Sequence, residues 1–160
     1  MDKGRFSRRD RLVKEKRHDT YEPLGKWPEP TVCKECGSLF HNGRWSWRQP
    51  PKQVHKVVCP ACRRIADNCP AGYVEIRGSF FKEHREELLN LIRAEEKLEK
   101  EEHPTERIIS IIHEEDHTLV TTTGVHIARR IGKALSRACH GDLSMQYGDD
   151  EKSIRVYWSR

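Results

Sequence analysis

Between residues 82 and 102 the apolar positions recur at spacings of three and four. Phe81, His84, Leu88, Leu91 and Leu98 form the stripe, and Leu89 and Ile92 widen it. That period predicts an amphipathic helix, the longest in the chain. Glu96 and Lys100 add a favourable i,i+4 pair. The helix fades in Glu101-Glu102 and stops before Pro104, because a residue preceding proline avoids the helical region. His84 and Glu95 interrupt the seam a coiled coil would need, so the helix reads as a spacer packed on a neighbouring unit.

Beyond Pro104 the period changes. Arg107 to His113 is an Ile-rich strand, Glu114-Glu115-Asp116 a turn, and His117 to Thr122 a second strand. Thr122 or Thr123 can cap a helix running to about Cys139, with Ile127, Ala128, Ile131, Ala134, Leu135 and Ala138 on its apolar face. Leu143, Met145 and Tyr147 alternate with polar residues, as do Ile154, Val156 and Trp158 after a turn at Gly148-Asp149-Asp150. The order is ββαββ, one helix over a mostly antiparallel sheet. Upstream, a turn at Pro70-Ala71-Gly72 precedes a short strand, Tyr73 to Ile76.

Residues 33–62 carry a different signal. Cys33-Lys-Glu-Cys36 and Cys59-Pro-Ala-Cys62 are two CxxC pairs, each able to aim two thiolates at one point. Together they supply the S4 donor set of a structural zinc site. Gly37 follows the first pair, where the backbone favours a conformation that glycine adopts cheaply. Asn42-Gly43 is the signature of a type I′ hairpin, flanked by Leu39-Phe40 and Trp45-Ser46-Trp47. Val54, Val57 and Val58 lead into the second pair. Knuckle, hairpin, strand and knuckle make a zinc ribbon with one structural Zn2+. Cys69 has no partner pair and reads as a buried or half-buried cysteine. His113, His117, His126 and His140 are too scattered for a second metal site.

Composition and charge narrow the function. Of 160 residues 35% are hydrophobic and 34% charged, which argues against one large core. The net charge of +5 divides unevenly: residues 1–64 hold 16 Lys/Arg against 7 Asp/Glu, residues 65–160 hold 14 against 18. The basic half points to a polyanion. Residues 1–20 hold eight of its cations, among them Arg5, Arg8, Arg9 and Arg11, and read as an arm that orders on phosphates. Arg44, Arg48, Lys52, His55 and Lys56 surround Trp45 and Trp47. Alternation places both indoles on one strand face, to pack over the small metal core or to stack on unpaired bases. His126, Arg130, Lys133 and Arg137 form a basic face on the helix after residue 123; Arg155 and Tyr157 are a weaker second surface. No apolar run of membrane-spanning length is present, the basic N-terminus lacks the apolar region of a signal peptide, and the cysteine pattern suits a reducing cytoplasm. No Gly-rich phosphate loop, nucleophile elbow or carboxylate pair supports catalysis.

The CxxCG at 33–37, the CPxC at 59–62 and the stretch from Leu119 to Gly132 (LVTTTGVHIARRIG) resemble the N-terminal zinc-binding part of the large-ribosomal-subunit export adaptor family. The layout is most similar to small bacterial zinc-ribbon proteins of about this length. That resemblance implies a ribosome- or RNA-facing role. The family's additional cysteine pairs, further domains and export signals have no counterpart here, so export is not implied.

The expected fold is α+β: a basic arm and linker at 1–29, a zinc ribbon and following strand at 30–81, an amphipathic linker helix at 82–104, and a ββαββ domain at 105–160. The expected function is a zinc-ribbon RNA-binding or ribosome-associated protein without catalytic activity, with no membrane partner and no small-molecule substrate. Its site residues are Cys33, Cys36, Cys59 and Cys62 for metal, and Arg5, Arg8, Arg9, Arg11, Arg44, Trp47, Arg48, Lys56, Arg130, Lys133 and Arg137 for nucleic acid. One alternative is a protein-interaction adaptor docking through residues 82–106, where nine Asp/Glu outnumber five Lys/Arg. A second is a rubredoxin-like iron protein, disfavoured because Arg63 follows the second pair where that family has glycine.

Overall fold

The computed structural model of the chain describes Thr20, Tyr21, Pro23 and residues 25–160. It is a mixed α+β structure with four helices and two sheets. Arg5, Arg8, Arg9 and Arg11 lie outside the described residues.

The first sheet is built from three-residue strands: β1 (Thr31–Cys33), β2 (Leu39–His41), β3 (Arg44–Ser46) and β4 (His55–Val57). Their order is β3-β2-β1-β4, antiparallel except that β4 runs parallel to β1. Asn42 and Gly43 join β2 to β3 with φ of 53° and 76°, the two positive values a type I′ turn requires. Gly37 has φ 81°, as its place after the first knuckle demands. The second CxxC pair opens a helix, α1 (Pro60–Asp67). Sequence periodicity missed it because eight residues offer barely two turns. Its local signals are nonetheless good: proline in the first turn and a left-handed Asn68 closing the end.

The second sheet has the order β6-β7-β5-β9-β8. Its strands are β5 (Gly72–Arg77), β6 (Ile108–His113), β7 (Thr118–Thr122), β8 (Asp142–Tyr147) and β9 (Ile154–Ser159). A ββαββ unit confined to 105–160 therefore omits a strand. The segment assigned to the cysteine module, Gly72–Arg77, is the central strand, antiparallel to β7 and parallel to β9. Its alternation is the reason: Val74 and Ile76 are wholly buried against the helix layer, beside Val120, Val156 and Trp158.

That layer consists of α4 (Val125–Cys139) on the sheet and α3 (Arg85–Glu102) against α4. Gly132 lets α4 lie close on β9; a Cβ there would stand 2.5 Å from Val156 Cγ1. The long helical stretch is broken at His84, which separates α2 (Ser79–Glu83) from α3 and stacks on Phe80 at 4.1 Å. The expected threonine cap on α4 is replaced. Gly124 is the N-cap residue, and the distant Glu106 accepts the Ile127 N–H through Oε2 at 3.0 Å. Thr122 instead donates to Gly124 O, and Thr123 to Thr105 O.

Candidate metal centre

The sheet pairing explains how four cysteines converge. β1 carries Cys33 to the sheet end, Gly37 N–H closes the first knuckle on Cys33 O at 2.9 Å, and β4, parallel to β1, delivers Cys59 beside it. Cys59 then serves as N-cap of α1, its sulfur accepting the Cys62 N–H at 3.4 Å. All four Sγ atoms lie within 4.8 Å of one another. Cys33 to Cys62 and Cys36 to Cys59 are each 3.8 Å, too long for a disulfide, and all six cysteines are free. Four sulfurs tetrahedrally placed at the zinc–thiolate length stand about 3.8 Å apart, so the donor set fits a metal ion of that size.

The surroundings favour negative sulfur. Cys59 N–H donates to Cys33 Sγ at 3.2 Å, and the Ser38 hydroxyl lies 3.1 Å from Cys36 Sγ. Arg107, at the start of the second unit, donates through Nη2 to Cys62 Sγ at 3.1 Å and to Cys59 Sγ at 3.4 Å. With protons alone on the sulfurs, the charge is shared unevenly. The contact from Cys59 holds Cys36 down to about 4, and the same contact, with burial, pushes Cys59 up. Burial also raises Cys62, against the opposing guanidinium. Burial works against the charge of Arg107 too, and the Cys62 contact and neighbouring sulfurs more than restore it. A central cation relieves this competition by letting all four sulfurs ionise.

Comparison with family models, curated proteins and solved structures finds no match to the chain. The site's own chemistry is therefore the guide to its role.

The residues expected to touch nucleic acid separate into three groups. Arg44, Arg48 and Lys56 are exposed, as is Lys52, and none of their side chains has a hydrogen bond or ion pair among the described residues. Lys133 and Arg137 are exposed on α4 and line a concave surface with Arg129 and Ser136. Arg130 and Glu99 line the same surface, but the Arg130 charge is spent within the fold. Its guanidinium is bound to Glu95 Oε2 at 2.5 Å and Glu99 Oε2 at 2.7 Å, because α3 lies along α4. Those glutamates belong to the 82–106 stretch whose acidity suggested a protein partner; Glu96 is also used internally, accepting the Ile108 N–H.

The two tryptophans do not share a face. Trp45 is half-buried on β3, 5.4 Å from Phe40 and 5.7 Å from Trp27, and packs on the cysteine cluster. Trp47 lies past the strand end, donates Nε1–H to Lys100 O at 2.7 Å and stays 40% exposed. Cys69 is exposed, not buried. Sequence reading missed Arg107, Trp27 and Glu106. Only Trp27, an aromatic among prolines, carried a visible signal; Arg107 reaches the sulfurs from 45 residues beyond Cys62.

Proposed function

We propose that the chain is a non-enzymatic zinc-ribbon protein that binds single-stranded RNA, in a ribosome-associated setting in the cytoplasm. Cys33, Cys36, Cys59 and Cys62 would hold one Zn2+. Tetrathiolate donors spaced for bonds of about 2.3 Å suit zinc, whose role in a closed site is to fold the module. The observation that carries RNA binding is the disposition of charge. The side chains of Arg44, Arg48, Lys52 and Lys56 stand exposed on the ribbon with no partner among the described residues, and Arg44 lines one surface with the half-buried Trp27, Phe40 and Trp45. Glu95, Glu96 and Glu99 are by contrast turned inward on Arg130 and the β6 backbone. Unpaired cations beside aromatic rings are what single strands engage, through phosphates and base faces. No helix of the described residues is long and apolar enough to cross a membrane.

The adaptor reading has less support, since the acidic helix spends three glutamates within the fold. The iron reading is tested by metal content: zinc in protein from its native host supports the ribbon, and iron with a thiolate charge-transfer band overturns it. RNA binding is tested by fluorescence anisotropy of a 20-nucleotide single strand against salt. The log–log slope should be near −0.7 per phosphate contact. Reversing Arg48, Lys52 and Lys56 to glutamate should weaken binding at least tenfold and flatten the slope, and deleting residues 1–20 should flatten it further. Unchanged affinity and slope in both variants would place the binding surface elsewhere, with Lys133 and Arg137 next to mutate.

A further inference from the structure

Between the ribbon and the second sheet lies a cleft of about 490 Å³, within the size range of small-ligand sites. One wall is aromatic, with Trp27 and Trp45 set edge to face at 5.7 Å and both half-buried. The opposite wall is the start of α4, where Glu106 lines the cleft. Its Oε2 is held by the Ile127 N–H, and Oε1 has no partner among the described residues. Gly124 is shaped around this carboxylate: a Cβ there would fall 2.1 Å from Oε2. Lys26 and Arg44 stand exposed at the rim, without partners among the described residues.

An occupant must satisfy all three features. A simple cation would suit the rings and the carboxylate but would be repelled by the rim. A simple anion would suit the rim but meet Glu106. A planar ring with polar hydrogens on one edge and a phosphate on the other side matches every wall, which is the chemistry of a nucleotide.

Building on the RNA reading above, we infer that the cleft takes one nucleotide, its base against Trp27 and Trp45, its amino-bearing edge on Glu106 and its phosphate at Lys26 and Arg44. The carboxylate accepts hydrogen bonds, so it selects bases that offer donors. Guanine presents an N–H and an amino group side by side, adenine and cytosine one amino group. Uracil flanks its single N–H with two carbonyls that face the carboxylate unfavourably. Burial, and more weakly the charge of Glu99, raise the Glu106 pKa to about 7 against the Ile127 N–H and Arg129, in a cleft also lined by Arg64, His126 and Lys152; the ionised form accepts best, so preference for guanine should sharpen from pH 6 to pH 8.

The test titrates zinc-loaded full-length protein with guanosine and uridine 5′-monophosphates, following indole resonances and tryptophan emission. Guanosine monophosphate should shift the Trp27 and Trp45 signals and bind about tenfold more tightly than uridine monophosphate. Trp27→Ala should weaken both by about tenfold. Glu106→Gln, which keeps an oxygen for the Ile127 N–H, should abolish the guanine preference and its pH dependence while leaving uridine monophosphate binding in place. A Glu106 that serves only to cap α4 would leave base preference unchanged. The proposal is overturned if neither nucleotide moves the Trp27 or Trp45 resonances, or if Glu106→Gln keeps the preference. The 20-nucleotide strand separates the two readings. A strand that binds the wild type and both variants alike leaves RNA binding standing and removes the cleft. Mononucleotides that bind where the strand does not leave the cleft standing and remove RNA binding.

Discussion

The two sheets are held by different forces. The ribbon's strands are three residues each, and its buried apolar cluster is Cys33, Cys59 and Ala61, with Cys36, Trp45 and Cys62 against it. Four of those six residues are the cysteines of the candidate metal site. The second unit buries fourteen residues in one cluster, from Val74 and Ile76 through Ile131 and Leu135 to Val156 and Trp158. Burying each such side chain contributes about 1.5–3 kcal/mol, so the second unit folds on apolar area. The ribbon is below the size at which a core suffices, and an ion held by its four cysteines would supply what it lacks.

The sharpest way to break this comparison is to remove the metal. Apparent binding free energies of structural zinc run to about 10–16 kcal/mol, and here that energy would be largely the folding energy of the ribbon. Chelation, or Cys62→Ser, should erase hydrogen-exchange protection in residues 30–58 and leave β5, β7 and β9 protected. Cys69→Ser should leave metal content unchanged, because that thiol is exposed and outside the cluster. Simultaneous loss of protection in both sheets would mean that they fold as one unit. The reciprocal experiment is Leu135→Ala, a wholly buried side chain on α4. It should destabilise the second unit by about 2–5 kcal/mol by denaturant unfolding, with one metal per chain retained.

How far the sequence foretold each region follows from the same difference. The four cysteines of the candidate metal site were legible, since spacing within CxxC is local and needs no knowledge of the fold. The core face of α4 was legible for Ile127, Ile131 and Leu135, which keep one period over about two turns and are all buried, whereas Ala138, expected on the same face, is exposed. What escaped depended on partners distant in the chain. Gly72–Arg77 looked like an appendage until its neighbours β7 and β9 were known. Arg130 read as one of four cations on a helix face because nothing local says that Glu95 and Glu99 lie opposite. Thr122 and Thr123 are good capping residues by type, but Glu106 had already taken the α4 N-terminus from outside the helix.

That cap gives a pH test confined to the second unit. Burial raises Glu106 from 4.5 to about 7 in the folded chain. Between those values the folded state holds a proton that the unfolded state has lost. The stabilisation is complete below about 4.5 and disappears as pH rises through about 7. The stability of the second unit should therefore fall from pH 5.5 to pH 8, by at most about 3 kcal/mol. Glu106→Gln should flatten the profile and be the more stable protein at pH 8. A wild-type profile that is flat, or rises, over this window would mean that Glu106 stays ionised.

The smallest expected effect lies where the two regions meet. Arg107 belongs to the second unit by sequence, just before β6, yet its Nη2 stands 3.1 Å and 3.4 Å from two sulfurs of the first. Four thiolates around a divalent ion carry a net charge of −2, and an adjoining guanidinium offsets part of it. Hydrogen bonds to charged groups are worth about 1.5–3 kcal/mol when buried. Arg107 is only half-buried and its Nε has no partner, so about 1 kcal/mol is the reasonable expectation. Arg107→Ala should weaken metal binding roughly fivefold in competition with a chromophoric chelator. The informative reading is on the other side of the contact. In the wild type, metal removal should accelerate amide exchange at Arg107 and Ile108 as the guanidinium loses its anionic partner. In Arg107→Ala those amides should exchange alike with and without metal, while β9 stays protected throughout. If they respond to metal equally in both proteins, the ribbon and the second sheet communicate through another contact, of which Trp47 on the Lys100 carbonyl is the nearest candidate.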